Sequence, residues 1–453
     1  HWSDSEGEGR VIIMVYYFPK LNIEVVRSVY MGLCFMVLFT GFYTLSNLEK
    51  LFLVSTHAEN PSFTGDGYIS LAILYIAFSV FMWIVPSIVS LCGPKLTLII
   101  GSLGYSLFIA SFLTENAWLL YVGSVCCGMG ASMLWTTQGN YMVLISSTVT
   151  LTRNLAIFNI IWQSSMFYGN IFAFLTFEGK DHLDKDTRTT VILALLGVSV
   201  AATVFMFFLP TPTSCDGEKI KEDHGGPVVA LKRTWKIATT KYMLILFISF
   251  VYMGLQICFM SGVYGSSVGF TKQLEHSEQL VPLIGLIVGA GEIVSEIGLI
   301  CFGKQIAKLR WGQTIVMLVA LFIEYIAFVM IFLNLPNNSV FGETNDLGIL
   351  PTSWWNAVIA AFLVGLSDGI YMSMVPSIVG TIFPNDSVYG CAMFTFVFSF
   401  FTAVGFFSSN YVGLYWQLLV LTVTGTLGAC SYIYVSLDLH RRAGTDNKEQ
   451  TKL

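Results

Sequence analysis

The chain of 453 residues is 55% hydrophobic and 15% aromatic, and only 11% of it is charged. That is about half the charge an ordinary soluble protein carries, which excludes a soluble nucleic-acid binder, a disordered tail protein and a secreted disulfide scaffold. The formal net charge of -5 is too small to imply a highly charged partner.

The amino end opens on His1 rather than Met, as expected of a shortened or irregular start, and is acidic at Asp4, Glu6 and Glu8. Val11 to Phe18 is apolar but too short to cross a bilayer and lacks the basic residues of a signal peptide, so residues 1–26 are expected to form a cytoplasmic, juxtamembrane segment. Runs poor in charge then mark the spans. They are Ser28 to Leu48, Tyr68 to Leu91, Leu96 to Thr114, Asn116 to Thr152 with its following loop, Asn154 to Phe177 and Thr189 to Leu209. After a polar stretch come Tyr242 to Tyr264, Gln279 to Gly303, Trp311 to Leu333 and Trp355 to Thr381. The last run, Ser387 to Leu437, is long enough for two spans, with the turn expected at Ser408, Ser409 and Asn410. A helix needs about 20 apolar residues to cross the hydrocarbon core. The expectation is therefore an all-α membrane protein of twelve transmembrane helices: a six-helix half at 27–209, a cytoplasmic linker at 210–241, a second half at 242–437 and a tail at 438–453.

Of the 23 Lys and Arg residues, all but Lys50, Lys180, Lys185, Arg188 and Lys272 fall on one side of this map. Positive residues near span ends resist translocation, so both termini and the linker are expected in the cytoplasm. The nine cysteines avoid the predicted exofacial loops, and structural disulfides are not expected. Asn337, in Asn337-Asn338-Ser339, is an exofacial glycosylation candidate, whereas Asn385-Asp386-Ser387 is on the wrong side. In the linker, Lys232, Arg233 and Lys236 beside Val229, Leu231, Trp235 and Ile237 predict a short helix on the anionic leaflet or a plain positive-inside anchor.

No chemistry of the usual enzymatic kinds is legible. The six histidines lack metal-ligand spacing, no loop ends in Gly-Lys-Ser/Thr, and no nucleophile is paired with a base in an accessible loop. No enzyme, no metal site and no cofactor are expected. Ser267-Val268-Gly269-Phe270-Thr271 imitates a potassium-channel filter but lacks its final glycine and a paired-helix pore.

The six-plus-six arrangement predicts a duplication. At an offset of 236, Ala156, Phe158 and Gly169 correspond to Ala392, Phe394 and Gly405. The loop Leu91-Cys92-Gly93-Pro94-Lys95 corresponds to the one from Gly303 to Gly312; both are tight, basic and glycine-containing, and both lack an acidic residue. They resemble a degraded signature loop of the major facilitator superfamily. Six segments are more specific. Leu134-Trp135-Thr136-Thr137-Gln138-Gly139-Asn140, Ser261-Gly262-Val263-Tyr264-Gly265, Gly289-Ala290-Gly291-Glu292-Ile293, Gly365-Leu366-Ser367-Asp368, Ser409-Asn410-Tyr411 and Trp416-Gln417-Leu418-Leu419-Val420 resemble the uncoordinated-93-like family of that superfamily. The resemblance covers residues 27–437. It implies the two-half facilitator fold, and either a secondary transporter of a small solute or a regulator or escort of a channel or receptor.

Ionisable residues inside a span are costly and point to function. Glu292, Glu324 and Asp368 all fall near span centres. The resemblance implies that span ten lines the central cavity, that span eight borders it and that span nine is peripheral, which ranks Asp368 and Glu292 above Glu324. Glu296 stands four residues after Glu292 and on the same helical face, so one of these acids is expected to hold a proton in a dry site. The alternative is a plain hydrogen bond to a neighbouring helix. In the first half, Asn159, Gln163 and Asn170 form one polar stripe, and Gln138 and Asn140 end span four. Gln138, Asn159 and Gln163 are the candidates for the opposite wall of a solute site, or for helix-to-helix bonds. The expected surroundings are a lipid bilayer, with a small solute or a membrane-protein partner, and no nucleic acid.

Overall fold

The computed structural model describes residues 23–146, 151–178, 184–210, 226–309, 311–383 and 386–450. The acidic start, the segment Val11 to Phe18, the first part of the linker (211–225), Lys180 and Asn385 lie outside these residues.

The described chain is helical, apart from one parallel bridge between Thr271 and Thr344. The first span is α1 (Ile23–Glu59). The second is broken into α2 (Gly67–Phe81) and α3 (Val85–Cys92), because Pro86 at the start of α3 supplies no N–H to the preceding turn. The third and fourth are α4 (Pro94–Ser111) and α5 (Ala117–Ile145). The fifth is also broken, at Ser164, into α6 (Leu151–Gln163) and α7 (Ser165–Thr176), and α8 (Lys185–Phe207) is the sixth. A linker helix, α9 (Gly226–Ala238), follows. The seventh span runs through α10 (Lys241–Cys258), a π-helical turn (Phe259–Val263) and α11 (Tyr264–Phe270). The last five are α12 (Ser277–Lys308), α13 (Gly312–Asn334), α14 (Trp354–Ile382), α15 (Ser387–Ser409) and α16 (Leu414–Gln450). Ten spans are continuous and apolar enough to cross a membrane, and the two broken ones complete the twelve.

Both ends of the described chain lie at one face of the bundle, here the terminal face. At the opposite, far face, three N-caps start the returning helices of the first half. Asp66 accepts from Ile69 N at 3.0 Å, Asn116 from Trp118 N at 2.9 Å, and Asp184 from Thr187 N at 3.3 Å. Each satisfies a helix-start N–H that has no partner within its own helix.

The packing repeats itself. Span one packs against five and six, span two against four, and span three against four and six; seven packs against eleven and twelve, eight against ten, and nine against ten and twelve. The two sets meet where two touches eleven and five touches eight, themselves equivalent pairs. The corresponding glycines follow the same rule. A Cβ on Gly169 would meet Thr40 O of α1 at 2.6 Å, and one on Gly405 would meet Cys258 Cβ of α10 at 3.0 Å.

The bundle is sealed unequally. From Thr44 to Leu53 and from Phe259 to Phe270 every residue is buried, so spans one and seven are enclosed on all sides toward the far face. Toward the terminal face, Cys391 to Phe396 are all partly exposed. Linker helix α9 lies on α15 there, with Thr234 and Ile237 buried, Lys232, Trp235 and Lys236 exposed, and Arg233 over the Tyr389 ring at 5.9 Å.

A close helix contact in the second half sets up the site described next. A Cβ on Gly365 of α14 would lie 2.0 Å from Val288 O of α12. Gly365→Ala is expected to cost about 1–3 kcal/mol through overpacking and to lower the thermal unfolding midpoint in detergent. Gly380→Ala, on the same helix with nothing within 4 Å of the added Cβ, leaves the midpoint unchanged or raises it.

Candidate functional site

Of the buried polar groups at the contacts between spans, two bear on how the halves meet. The first is at the bundle centre. Because Gly365 and Gly369 let α14 lie directly on α12, a Cβ on Gly369 would meet Ser295 Oγ at 2.0 Å and Glu292 Cα at 3.2 Å. Asp368 and Glu292, adjacent in sequence to Gly369 and Gly291, are thereby brought within electrostatic reach of each other, with Glu296 also acting on Glu292. Glu292 and Asp368 are buried, and Ser373 Oγ donates to Glu296 Oε1 at 2.5 Å. Glu324 on α13 is 1% exposed and accepts a hydrogen bond from the Tyr252 hydroxyl of α10, so span nine turns its acid into the bundle rather than to its periphery. The Tyr252 and Tyr371 rings lie 4.8 Å apart, and Asp368 acts on Glu324, so the four acids and two tyrosines are neighbours.

Glu292 also faces the other half. With Tyr43, Trp162, Gln163 and Met166 from the first six spans, and Ile257, Met260 and Ser261 from the seventh, it lines an internal cavity of about 20 Å³, room for about one water. Two polar atoms on the first-half wall, Trp162 Nε1 and Gln163 Oε1, are buried without a hydrogen-bond partner. One is a donor and the other an acceptor. Behind them stand Phe35, Phe39, Trp135 and Phe158; the Trp135 and Trp162 rings are 4.8 Å apart and edge-on.

The second group closes the far face. Lys50, 6% exposed within α1, pairs with Asp66 at the start of α2, donates to Asn410 Oδ1 at 3.1 Å, and sits 4.4 Å over the Tyr68 ring. Asn410 Nδ2 donates to Asp66 Oδ1 at 2.8 Å, and Tyr121 Oη accepts from Asp66 N at 3.2 Å. Asn410 follows α15, so this triad ties the first six spans to the second six. Burial pushes the Asp66 carboxyl up, but the Lys50 ammonium beside it, with Asn410 and the Ile69 N–H, outweighs that and holds it below the usual carboxylate range.

The family described as "Ion channel regulatory protein UNC-93" matches residues 63–433.

The chain belongs to the UNC-93 family.

Among its relatives, UNC93-like protein MFSD11 of Xenopus tropicalis is 34% identical over 439 residues, covering 93% of this chain and 98% of that protein. The protein of the same name from Xenopus laevis is 33% identical over 442 residues, with the same coverages. UNC93-like protein 3 of Arabidopsis thaliana is 25% identical over 401 residues, covering 82% of this chain and 80% of that one. Among solved structures, the nucleoside transporter NupG superposes with a TM-score of 0.60 at 12% identity, over 91% of this chain and 98% of that one. A single-residue variant of the E. coli fucose:proton symporter FucP gives 0.56 at 12% identity over 91% and 98%. The UNC-93 chain thus has the major facilitator fold, that of membrane transporters.

Set on that fold, the sequence candidates scatter. Glu292 and Gln163 share one cavity, with Asp368 and Glu296 beside Glu292. Gln138 is buried on α5 but does not line that cavity, and Asn159 is exposed on α6. The break at Ser164 divides the polar stripe between two helices, and Asn170 instead donates to Met166 O at 2.8 Å within α7. Asn337 Oδ1 accepts from Tyr415 N at 2.9 Å at the start of α16, while Ser339 is buried and donates to Pro336 O at 2.8 Å, so glycosylation there has to precede or open this packing. Lys50, expected in an exofacial loop, lies inside α1. Its triad is hidden when charged residues are taken as the ends of spans; the sequence signal for it is that Lys50, Asp66 and Asn410 all stand at predicted far-face ends.

Removing Asp66 strands a buried ammonium. Asp66→Ala is expected to lower stability by about 3–5 kcal/mol, and Asn410→Ala by about 1–3 kcal/mol, read as loss of thermal unfolding midpoint. Because the Asp66 carboxyl is held below the ordinary range, its contribution is complete above that range and is lost only as pH falls through the depressed value. In wild type the difference from Asp66→Ala should persist through mildly acidic pH and shrink only in strong acid.

Proposed function

We propose that this protein is a secondary transporter of a small polar solute, coupled to protons through Asp368 and Glu292. The observation that carries this reading is the pairing of Glu292, from one half, with the unpartnered Trp162 Nε1 and Gln163 Oε1 of the other, across a cavity at the meeting of the halves. A small polar ligand in that space would satisfy both the donor and the acceptor, and a buried polar group left unpaired costs about 1–3 kcal/mol. Aromatic walls beside a few convergent polar groups are how small-molecule sites are usually built.

In this reading the halves at 27–209 and 242–437 rock about the central site, joined by the linker at 210–241. The far face is exofacial and closed by the Lys50 triad, the terminal face is cytoplasmic and looser, and the solute enters from the side that opens. Glu296, held by Ser373, and Glu324, held by Tyr252, tune the charge around the coupling pair. Gln163 orients the solute, while Gln138 and Asn159 belong to the walls that part as the halves move. The named function of the fucose:proton symporter supports proton coupling by analogy of fold alone.

A second reading, favoured by the family's description as ion-channel regulatory, is an accessory protein that binds a channel or receptor through its helical surface. The two separate in one experiment. Purified protein is screened by thermal shift against a library of small polar solutes at pH 5.5 and pH 7.5, together with Asp368→Asn and Gln163→Ala. Transport predicts a solute that stabilises the wild type in a pH-dependent way, loses its pH dependence in Asp368→Asn and weakens by about ten-fold in Gln163→Ala, the loss of one good hydrogen bond. Stabilisation by no solute, with a membrane-protein partner recovered equally by wild type and Asp368→Asn, establishes the accessory reading instead.

A further inference from the structure

Next to the far-face triad stands an acid that none of the preceding chemistry uses. Glu49 is 0% exposed, and neither of its carboxylate oxygens has a hydrogen-bond partner. The nearest hydroxyl, Ser70 Oγ, is bonded to Ser124 Oγ at 2.8 Å, and Ser124 Oγ donates to Leu120 O at 2.9 Å, so Ser70 acts on Glu49 only through a hydroxyl that is already engaged. The adjacent cation is also turned away, since the Lys50 ammonium faces Asp66, Asn410 and Tyr68. The fit is tight: α2 begins directly on this side chain, where a Cβ on Gly67 would meet Glu49 Cγ at 3.1 Å and Lys50 Cα at 2.9 Å.

A fully buried carboxylate that is ionised with no counter-ion facing it is among the most costly groups to bury. A neutral carboxylic acid is tolerated in the same space. The titratable and charged groups around it are few. Lys50 and Asp66 act on it directly, Tyr68 stands on α2, and Tyr121 and Cys127 face it from α5. On α11, which packs on α1, the titratable group is Tyr264, and it donates to Ala357 O at 2.6 Å. Farther out, Arg188 of α8 pairs with Glu59, and Lys272 pairs with Glu278 and Glu343. Among the described residues Lys50 is therefore the cation that Glu49 can reach, and it is engaged across the interface between the halves.

We propose that Glu49 is a proton-binding site that works the far-face lock. With the lock closed, Glu49 carries its proton and Lys50 is free to hold Asp66 and Asn410. On opening, water reaches Glu49 and takes the proton, and Lys50 swings from Asp66 to the new carboxylate, which releases Asn410 and with it the second half. The closed state binds one more proton than the open one, so rising pH favours opening. This inference rests on the reading that the two halves move, but not on Asp368 or Glu292 as the coupling pair.

The test measures how often the far face opens. Ser266→Cys places a thiol at a fully buried position on α11, where that helix packs on α1, and Ser62→Cys places one at an exposed far-face loop. The two proteins, in nanodiscs, are labelled with a maleimide from pH 5.5 to pH 8.5, with the labelling of native cysteines subtracted. The ratio of the two rates removes the thiol's own titration and reports the open fraction. The expected ratio rises with pH, by at most about ten-fold per unit, the limit for a single linked proton. Glu49→Gln is expected to make the ratio low and independent of pH, and Glu49→Asp to restore the slope. A slope lost in Asp368→Asn but kept in Glu49→Gln assigns the linked proton to the central pair and overturns the proposal while leaving the motion of the halves established. A flat ratio in wild-type protein overturns the proposal, and so does a slope that survives in Glu49→Gln.

Discussion

A charge buried inside a membrane bundle has to find its partner within the protein, and here the partner is repeatedly on the other side of an interface. Lys50 of the first half is completed by Asn410 of the second, and Glu324 of one span by Tyr252 of another. The hydrophobic effect does not discriminate one arrangement of helices from another in lipid, where the surroundings are as apolar as the core, which leaves close packing and polar contacts to do so. Hydrogen-bonded charges do discriminate, because each has few satisfactory positions and a large penalty elsewhere. The closed far face is therefore specified by a small number of polar contacts set within close packing, and such contacts can be exchanged for others of similar strength.

The duplicated packing gives those exchanges a geometry. Spans two and eleven meet as spans eight and five do, so a motion that loosens one pair at one face can tighten the equivalent pair at the other. The central acids sit on the contact between spans eight and ten, made close by Gly365 and Gly369, while the amide and indole facing Glu292 come from span five. That is the arrangement in which a change of charge on one half is felt by the other. The breaks at Pro86 and Ser164 fall in spans two and five, both of which contact the second half, where a divided helix bends at less cost than a continuous one.

Most of the fold was legible because insertion into lipid imposes a single strong rule, about twenty apolar residues per crossing. The turn at Ser408 to Asn410 is where it was expected, since Ser409 ends α15 and Leu414 begins α16. The same rule hid the lock: when charge is read as the end of a span, Glu49 and Lys50 look like a loop, whereas α1 continues to Glu59. Their burial depends on Asp66, 16 positions on, and on Asn410, 360 positions on, which no local pattern reports. Asp368 and Glu292 were legible as isolated acids in apolar runs, but their proximity follows from glycine contacts between two helices. Asn159 illustrates the converse. Its spacing from Gln163 is helical, yet only Gln163 reaches the cavity. The sequon at Asn337 reads as surface chemistry, while in the fold its side chain caps α16.

The central claim is that the two halves move against each other about the buried acids, with the far face opening as the terminal face closes. The most direct measurement is a pair of spin-label distances in one preparation, across the far face between Ser62→Cys and Asn345→Cys and across the terminal face between the exposed Cys92 and Cys301. Breaking the lock with Asp66→Asn is predicted to lengthen the first distance and shorten the second. Two distances that both stay fixed when the lock is broken would contradict the account and leave a static bundle in its place.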